Sequence, residues 1–100
     1  MSVIDWPRTN TWLALNEIEA ERERQERKCA EKRAEGLTWL TCADPRMPDG
    51  EKLAVLMEEV GEVARELCDA RAAREAPGRN LRVELIQVAA VAVAWAEALS

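Results

Sequence analysis

The sequence predicts an all-α protein whose three main helices form a helical bundle that dimerisation completes. Apolar residues recur three and four positions apart, which is typical of helices that bury one face. Two stretches that contain proline and glycine divide the chain into three segments of helical length. One hundred residues make one small domain, residues 1–100, and oligomerisation commonly supplements the modest core of such a domain.

The first helix is predicted over Thr11–Ala34, after an extended lead-in at residues 1–10. Pro7 disfavours helix at the residue before it, and Gly36 is a suitable residue to end the helix. The second half of this helix carries mixed charges at spacings suited to ion pairs along its surface. The N-cap is expected at one of three adjacent polar residues: Thr9, Asn10 or Thr11.

The second helix is predicted from Asp49, as its N-cap, to Ala73 or Glu75. The connector before it spans residues 36–50, and its apolar side chains predict that it packs against the helices. Those side chains are Leu37, Trp39, Leu40 and Met47. The helix carries a continuous apolar stripe with steps of three and four: Leu53, Leu56, Val60, Val63 and Leu67.

The third helix is predicted over Leu81–Leu99, with Asn80 as a cap. Between Leu85 and Ala96 its only polar residue is Gln87, so most sides of this helix should be buried. The alternating valines and alanines do not indicate a strand, because alanine favours helix and no second strand exists to pair with it. Two other helices cannot enclose such a helix, and a second copy of the chain is its expected cover.

The composition excludes several classes of function. The chain has no histidine, which removes the commonest general base and the commonest zinc ligand. A bound metal would therefore be held by oxygen, as magnesium, manganese or calcium is. The net charge of −5 argues against duplex nucleic acid as a partner.

The setting predicted by the sequence is cytoplasmic. Three cysteines, Cys29, Cys42 and Cys68, form no C-x-x-C pair and suit a reducing compartment better than a disulfide framework. The N-terminus lacks the pattern of a signal peptide. The apolar run at 88–96 is too short for a membrane span, which needs about 20 residues.

Two polar clusters on successive helices contain the candidate metal-binding residues. The first is Glu58-Glu59-Val60-Gly61-Glu62, and Glu84-Leu85-Ile86-Gln87 follows after 21 residues. Glu59 and Glu62 share one helix face, and Glu84 and Gln87 repeat the same spacing on the next helix. Carboxylates packed together repel unless a cation lies between them, and magnesium both provides that charge and binds phosphate oxygens.

These clusters resemble the motif of the all-α nucleoside triphosphate pyrophosphohydrolases, the MazG-like and all-α dUTPase superfamily. That motif reads E-E-x-x-E, followed by E-x-x-D. The flanking segments 52–67 and 84–95 are similar to short single-domain MazG-like proteins of bacteria and phages, and the similarity covers most of residues 17–99. The resemblance implies a hydrolase of the nucleotide pyrophosphatase type that converts a nucleoside triphosphate to the monophosphate and pyrophosphate. It also implies Mg²⁺, with Mn²⁺ as an alternative ion, and a homodimer or tetramer.

The resemblance assigns roles residue by residue. Glu59, Glu62 and Glu84 match metal ligands, Gln87 stands at the position of the usual aspartate, and Glu58 matches the leading glutamate, a candidate catalytic base. The first helix lines the nucleotide site in this family. On that helix the candidates for substrate binding are Lys28 and Arg24 for phosphate, and Gln25 for the base.

Each assignment has a structural alternative. The glutamates on the second helix are also typical of a solvated face, and the charged residues of the first helix are typical of ion-paired surface. Gln87 is either a metal ligand or a buried amide bonded to a neighbour. Trp12, Trp39 and Trp95 suit base stacking or packing. Because Gln87 carries no charge, the alternative function is a weakly active or inactive helical dimer that binds nucleotides or a protein partner.

Overall fold

The computed structural model describes residues 6–100, and all regular structure within this range is α-helical. Helix α1 spans Arg8–Ala34, α2 spans Asp49–Ala72, and α3 spans Arg79–Ala98. The predicted all-α class and its three helices are thereby confirmed.

Both of the first two helices begin after a proline. Arg8 is already helical, so the extended lead-in predicted for residues 1–10 is wrong from that position onward, and residues 1–5 lie outside the described range. The carbonyls of Pro7 and Pro48 accept the first hydrogen bonds of α1 and α2. Proline is tolerated at the start of a helix because it has no backbone N–H that would need a hydrogen-bond acceptor. The predicted polar caps, including Asp49 and Asn80, therefore lie inside the helices instead.

Helices α1 and α2 end in the same way. In α1 the N–H of Gly36 bonds to the carbonyl of Arg33, and the N–H of Leu37 bonds to the carbonyl of Lys32. This pair of bonds is the Schellman motif, and it requires a residue with positive φ. Gly36 has φ +88°, whereas Arg74 has φ 55° at the equivalent position of α2. The predicted stop at Gly36 is confirmed.

Helix α3 is the central element, because it packs against both α1 and α2. The buried residues Cys42, Val91 and Ala94 form one apolar cluster, and four partly buried side chains pack on them: Ala43, Met47, Val55 and Leu56. The connector therefore contributes to the core through Cys42 and Met47, while Leu37 and Trp39 stay exposed. As a result, the connector forms a wall beside α3 instead of a free loop.

Two polar contacts fix the C-terminal end of α3. The indole Nε1 of Trp95 donates to Asp49 Oδ1 at 2.9 Å, which joins α3 to the start of α2. Arg22 of α1 binds both carboxylate oxygens of Glu97. These contacts join α3 to α1 and to the start of α2.

The single chain does not enclose its apolar faces. The predicted stripe of α2 is divided, since Leu56 and Val63 are half-buried while Leu53, Val60 and Leu67 are exposed. A stripe with steps of three and four is wider than the one face that α3 covers. Exposed apolar residues also follow α3 at steps of seven, four and three: Leu85, Ala92, Ala96 and Leu99.

The dimensions agree with this incomplete enclosure. The radius of gyration is 16.0 Å, compared with about 13 Å for a compact domain of this length. None of the helices within residues 6–100 combines the length and hydropathy needed to cross a membrane.

Candidate functional site

A cavity of about 240 Å³ lies between α1, the connector and the facing sides of α2 and α3. Its charged and amide residues come from the helices, and the connector supplies Thr41 and much of the apolar wall. The residues that line it are Glu21, Arg24, Gln25, Lys28, Cys29, Trp39, Leu40, Thr41, Cys42, Met47, Val55, Glu59, Gln87 and Val91. Typical small-molecule pockets measure roughly 300–1,000 Å³, so this cavity suits part of a nucleotide better than a whole one.

The α1 wall presents three basic or amide side chains that the sequence predicted for substrate binding. Arg24 forms a bidentate ion pair with Glu21, at 2.6 and 2.8 Å. Lys28 lies over the ring of Trp39, with Nζ 5.5 Å from the ring centre. This wall can accept negative charge at Lys28 without first breaking an ion pair within residues 6–100.

The opposite wall contains Glu59 of α2 and Gln87 of α3. Burial raises the pKa of Glu59 above its usual range, and negative charge on neighbouring carboxylates raises it further. Those neighbours come from all three helices: Glu84, Glu62, Glu21 and Glu58. Glu59 therefore sits where an added cation is electrostatically favoured.

Glu84 shows the same need for a partner. Its Oε2 atom is buried and has no hydrogen-bond partner among residues 6–100. A buried oxygen without a partner costs about 1–3 kcal/mol, which a cation or a donor on a ligand would recover. Glu62 instead lies 3.7 Å from Arg65, and Glu58 is exposed on α2.

The predicted site residues fall into two groups. Arg24, Gln25 and Lys28 line the cavity together with Glu59 and Gln87. Glu58, Glu62 and Glu84 do not line it, although the charges of all three act on Glu59. Within the part of the chain that the structure describes, no three acidic or cysteine side chains are gathered in a metal-ligating arrangement. The assignment of metal ligands stays a prediction.

Sequence reasoning missed Glu21 and the burial of Arg22. Glu21 lines the cavity, and its position three residues before Arg24 and four before Gln25 could have indicated a shared helix face. Arg22 is only 7% exposed, and local spacing gave no sign of this burial. Its partner Glu97 lies 75 residues further along the chain, so only the tertiary structure shows the pair.

Comparison with known proteins identifies no relative. No family model matches the chain, and neither the curated proteins nor the solved structures include a significant match. The functional argument therefore depends on the cavity and its side chains.

Proposed function

We propose that this protein is a Mg²⁺-dependent nucleoside triphosphate pyrophosphohydrolase that releases the monophosphate and pyrophosphate. One observation carries the proposal. Cationic and amide side chains on one wall of a cavity, among them Lys28, face a wall of electron-rich oxygens at Glu59 and Gln87. Such a pairing is what a magnesium–triphosphate ligand requires, because the basic wall binds phosphate and the acidic wall binds the dication.

The donor chemistry fits magnesium. Glu59, Glu84 and Gln87 offer hard oxygen ligands, the buried Oε2 of Glu84 has no other partner within residues 6–100, and acidic neighbours raise the pKa of Glu59. Glu62 is the fourth candidate ligand. A bound Mg²⁺ would supply positive charge that neutralises the phosphate oxygens.

The residues of this chain would then bind and orient the substrate. Lys28 meets phosphate, and Arg24 reaches phosphate if it exchanges its ion pair with Glu21. Water attacks the α phosphorus, the bond to the oxygen that bridges the α and β phosphates breaks, and pyrophosphate leaves. Glu58, exposed beside Glu59, is the candidate that takes the proton of the attacking water.

A homodimer belongs to the proposal. The exposed stripes on α2 and α3 leave apolar surface that a second copy would cover. Because the cavity is smaller than a typical nucleotide pocket, a partner chain beside it would also help to enclose the ligand.

The decisive experiment measures pyrophosphate release from a panel of ribo- and deoxynucleoside triphosphates in about 5 mM MgCl₂. We expect turnover with at least one triphosphate and none with the corresponding diphosphate. Glu59→Gln should abolish turnover, because it removes a charged ligand. Glu23→Gln, an exposed residue of α1 away from the cavity, is the matched control and should retain activity.

A second candidate function is a nucleotide-binding dimer without turnover. Two observations favour it. Gln87 offers a neutral oxygen where the resembled motif has a charged one, and residues 6–100 contain no gathered cluster of three carboxylates. Thermal unfolding detects binding in either case, since magnesium at 100 times its Kd adds about 2.7 kcal/mol to the free energy of unfolding, and pyrophosphate release then separates the two functions. Stabilisation by magnesium and nucleotide without pyrophosphate release would support the binding protein, and no stabilisation would contradict both.

A further inference from the structure

Glu21 of α1 is a largely buried carboxylate that the resemblance to the pyrophosphohydrolases does not assign to the site. Its side chain is 13% exposed, and both of its oxygens accept hydrogen bonds from Arg24, from Nε at 2.8 Å and from Nη2 at 2.6 Å. A bidentate pair of this kind uses the planar fork of the guanidinium, which is also the geometry in which arginine binds phosphate. Glu21 therefore occupies the group on Arg24 that a phosphate would need.

The two partners of this ion pair differ in their freedom to move. The side chain of Arg24 is 51% exposed. Both partners also line a second groove, of about 280 Å³, between α1 and α3, so Arg24 has open space on two sides. Arg24 can therefore leave the pair and remain hydrated, whereas Glu21 would stay in place with little access to water. Binding of a phosphate to Arg24 would leave a nearly buried carboxylate without its cation.

The other charged groups near Glu21 make that loss unfavourable. Glu21 lines the same cavity as Glu59. Burial raises the pKa of Glu59, and the charges of Glu84, Glu62 and Glu21 raise it further, so these carboxylates repel one another. Within residues 6–100, Glu21 forms no ion pair other than the one with Arg24. A metal-free phosphate would take this cation away and add negative charge, whereas a phosphate that carries Mg²⁺ would bring a replacement cation.

We propose that Glu21 makes the cavity selective for phosphate that arrives as a complex with a divalent cation, and that it rejects metal-free phosphate. This inference rests on the proposed triphosphate site and names Glu21 as a residue that determines its specificity. When the complex binds, Arg24 pairs with a phosphate oxygen, and the negative charge of Glu21 is compensated by the ion. The cation and the anion therefore each raise the affinity of the site for the other, and this coupling is reciprocal.

Calorimetry with inorganic pyrophosphate tests the coupling, because pyrophosphate resembles the charged part of the substrate and the proposed reaction does not consume it. The Kd is measured once in excess EDTA and once in millimolar Mg²⁺. Glu21→Gln keeps the size of the side chain and removes its charge. In EDTA this variant should bind pyrophosphate at least about fivefold more tightly than the wild type, because an ion pair no longer competes for Arg24.

The ratio of the Kd in EDTA to the Kd in Mg²⁺ should fall by at least the same factor in Glu21→Gln. The association of Mg²⁺ with pyrophosphate in solution is the same for every variant, so it cancels when these ratios are compared. Adding Arg24→Met to Glu21→Gln should remove the gain in EDTA, since the released guanidinium is its cause. If Glu21→Gln does not fold, Glu21→Ala takes its place, with a change in the same direction.

Glu17→Gln is the matched control. It removes the same charge one helical turn earlier on α1, from an ion pair with Arg82, and Glu17 does not line the cavity. Both Kd values of this variant should stay within about twofold of the wild type.

An unchanged ratio in Glu21→Gln, or an equal change in Glu17→Gln, overturns the inference, while binding of pyrophosphate by the wild type would keep the anion site. Binding with the expected ratios but without pyrophosphate release from any triphosphate contradicts the proposed hydrolysis alone. Absence of pyrophosphate binding by the wild type and by Glu21→Gln in both buffers overturns the inference and the proposed site together.

Discussion

At the scale of single residues, the free energy of a buried charge depends on the groups that surround it. Arg22 and Lys52 are the two buried cations within residues 6–100, and Lys52 is only 2% exposed. Arg22 offsets its desolvation with three hydrogen bonds to side chains of α1 and α3. Glu59 lies among carboxylates, and the pKa of the nearby Arg24 is raised mainly by its hydrogen bond to Glu21 and less by the charge of Glu59. Arg22 therefore joins α1 to α3, whereas Glu59 lies where an added cation would be electrostatically favoured.

Replacing Arg22 by methionine should lower the free energy of unfolding by about 1–2 kcal/mol, because charged hydrogen bonds to a half-exposed Glu97 are lost. Urea unfolding at one protein concentration measures the change. Arg82→Met is the matched control, since Arg82 also joins α3 to α1 through a 2.8 Å contact, with Glu17, but both side chains are half-exposed. That variant should change stability by less than about 0.5 kcal/mol. Equal losses in the two variants would contradict the role given to burial.

Glu59→Gln should stabilise the metal-free protein at pH 7–8 and not at pH 4. The native pKa of Glu59 is raised above the ordinary value of 4.5, so the native state holds its proton longer than the unfolded state does. The corresponding stability is present below pH 4.5 and is lost as the pH rises through the raised pKa. Urea unfolding of wild type and variant at both pH values measures the difference.

Glu58→Gln, an exposed neighbour of Glu59, is the control and should have an effect below about 0.5 kcal/mol at either pH. Saturating Mg²⁺ should reverse the gain of Glu59→Gln, because the carboxylate then has a cation beside it. A gain of equal size at pH 4 and pH 8 would show that charge repulsion is not its cause.

At the scale of elements, the helices are bounded by backbone chemistry more than by polar caps. Proline carbonyls begin α1 and α2, and Schellman bonds end them. The two ends differ in one respect, since glycine occupies the left-handed position after α1 and Arg74 occupies it after α2. An L-residue with a side chain pays about 1–2 kcal/mol in this conformation.

Arg74→Gly should therefore raise the free energy of unfolding by about 1 kcal/mol, despite the greater freedom of glycine in the unfolded chain. Arg71→Gly, in the last turn of the same helix, should lower it by about 1 kcal/mol. The opposite signs identify the backbone conformation as the cause, and urea unfolding measures both. A loss of stability in Arg74→Gly would indicate that the Arg74 side chain contributes more than its backbone costs.

At the scale of the whole molecule, a single chain leaves many large apolar side chains of α2 and α3 exposed. Apolar side chains on the outward faces of α2 and α3 follow helical spacing, as residues of an interface between helices do. The molecule is flattened, with principal-axis extents of 45 × 44 × 24 Å, and these faces are accessible to a partner. A four-helix arrangement of α2 and α3 from two copies would cover them.

Sedimentation equilibrium of the wild type should give twice the mass of one chain. Leu67→Asp, on the exposed stripe of α2, should weaken the dimer by at least about thirtyfold, because a carboxylate is buried in an apolar interface. Leu15→Asp replaces an exposed leucine of α1 and should leave the dimer intact. A monomeric wild type would contradict the dimer, and dissociation by Leu15→Asp alone would place the interface on α1.

The sequence by itself determined the helices, because periodic apolar residues, proline and glycine act over a few neighbouring positions. Five residues that the resemblance to the pyrophosphohydrolases assigned to the site also line the cavity: Arg24, Gln25, Lys28, Glu59 and Gln87. Only the tertiary structure decided that Arg22 is buried against Glu97, and that Glu84 lies near Glu59 without lining the same cavity. These relations join residues far apart in the chain, and their energies arise from desolvation and charge that no local pattern records.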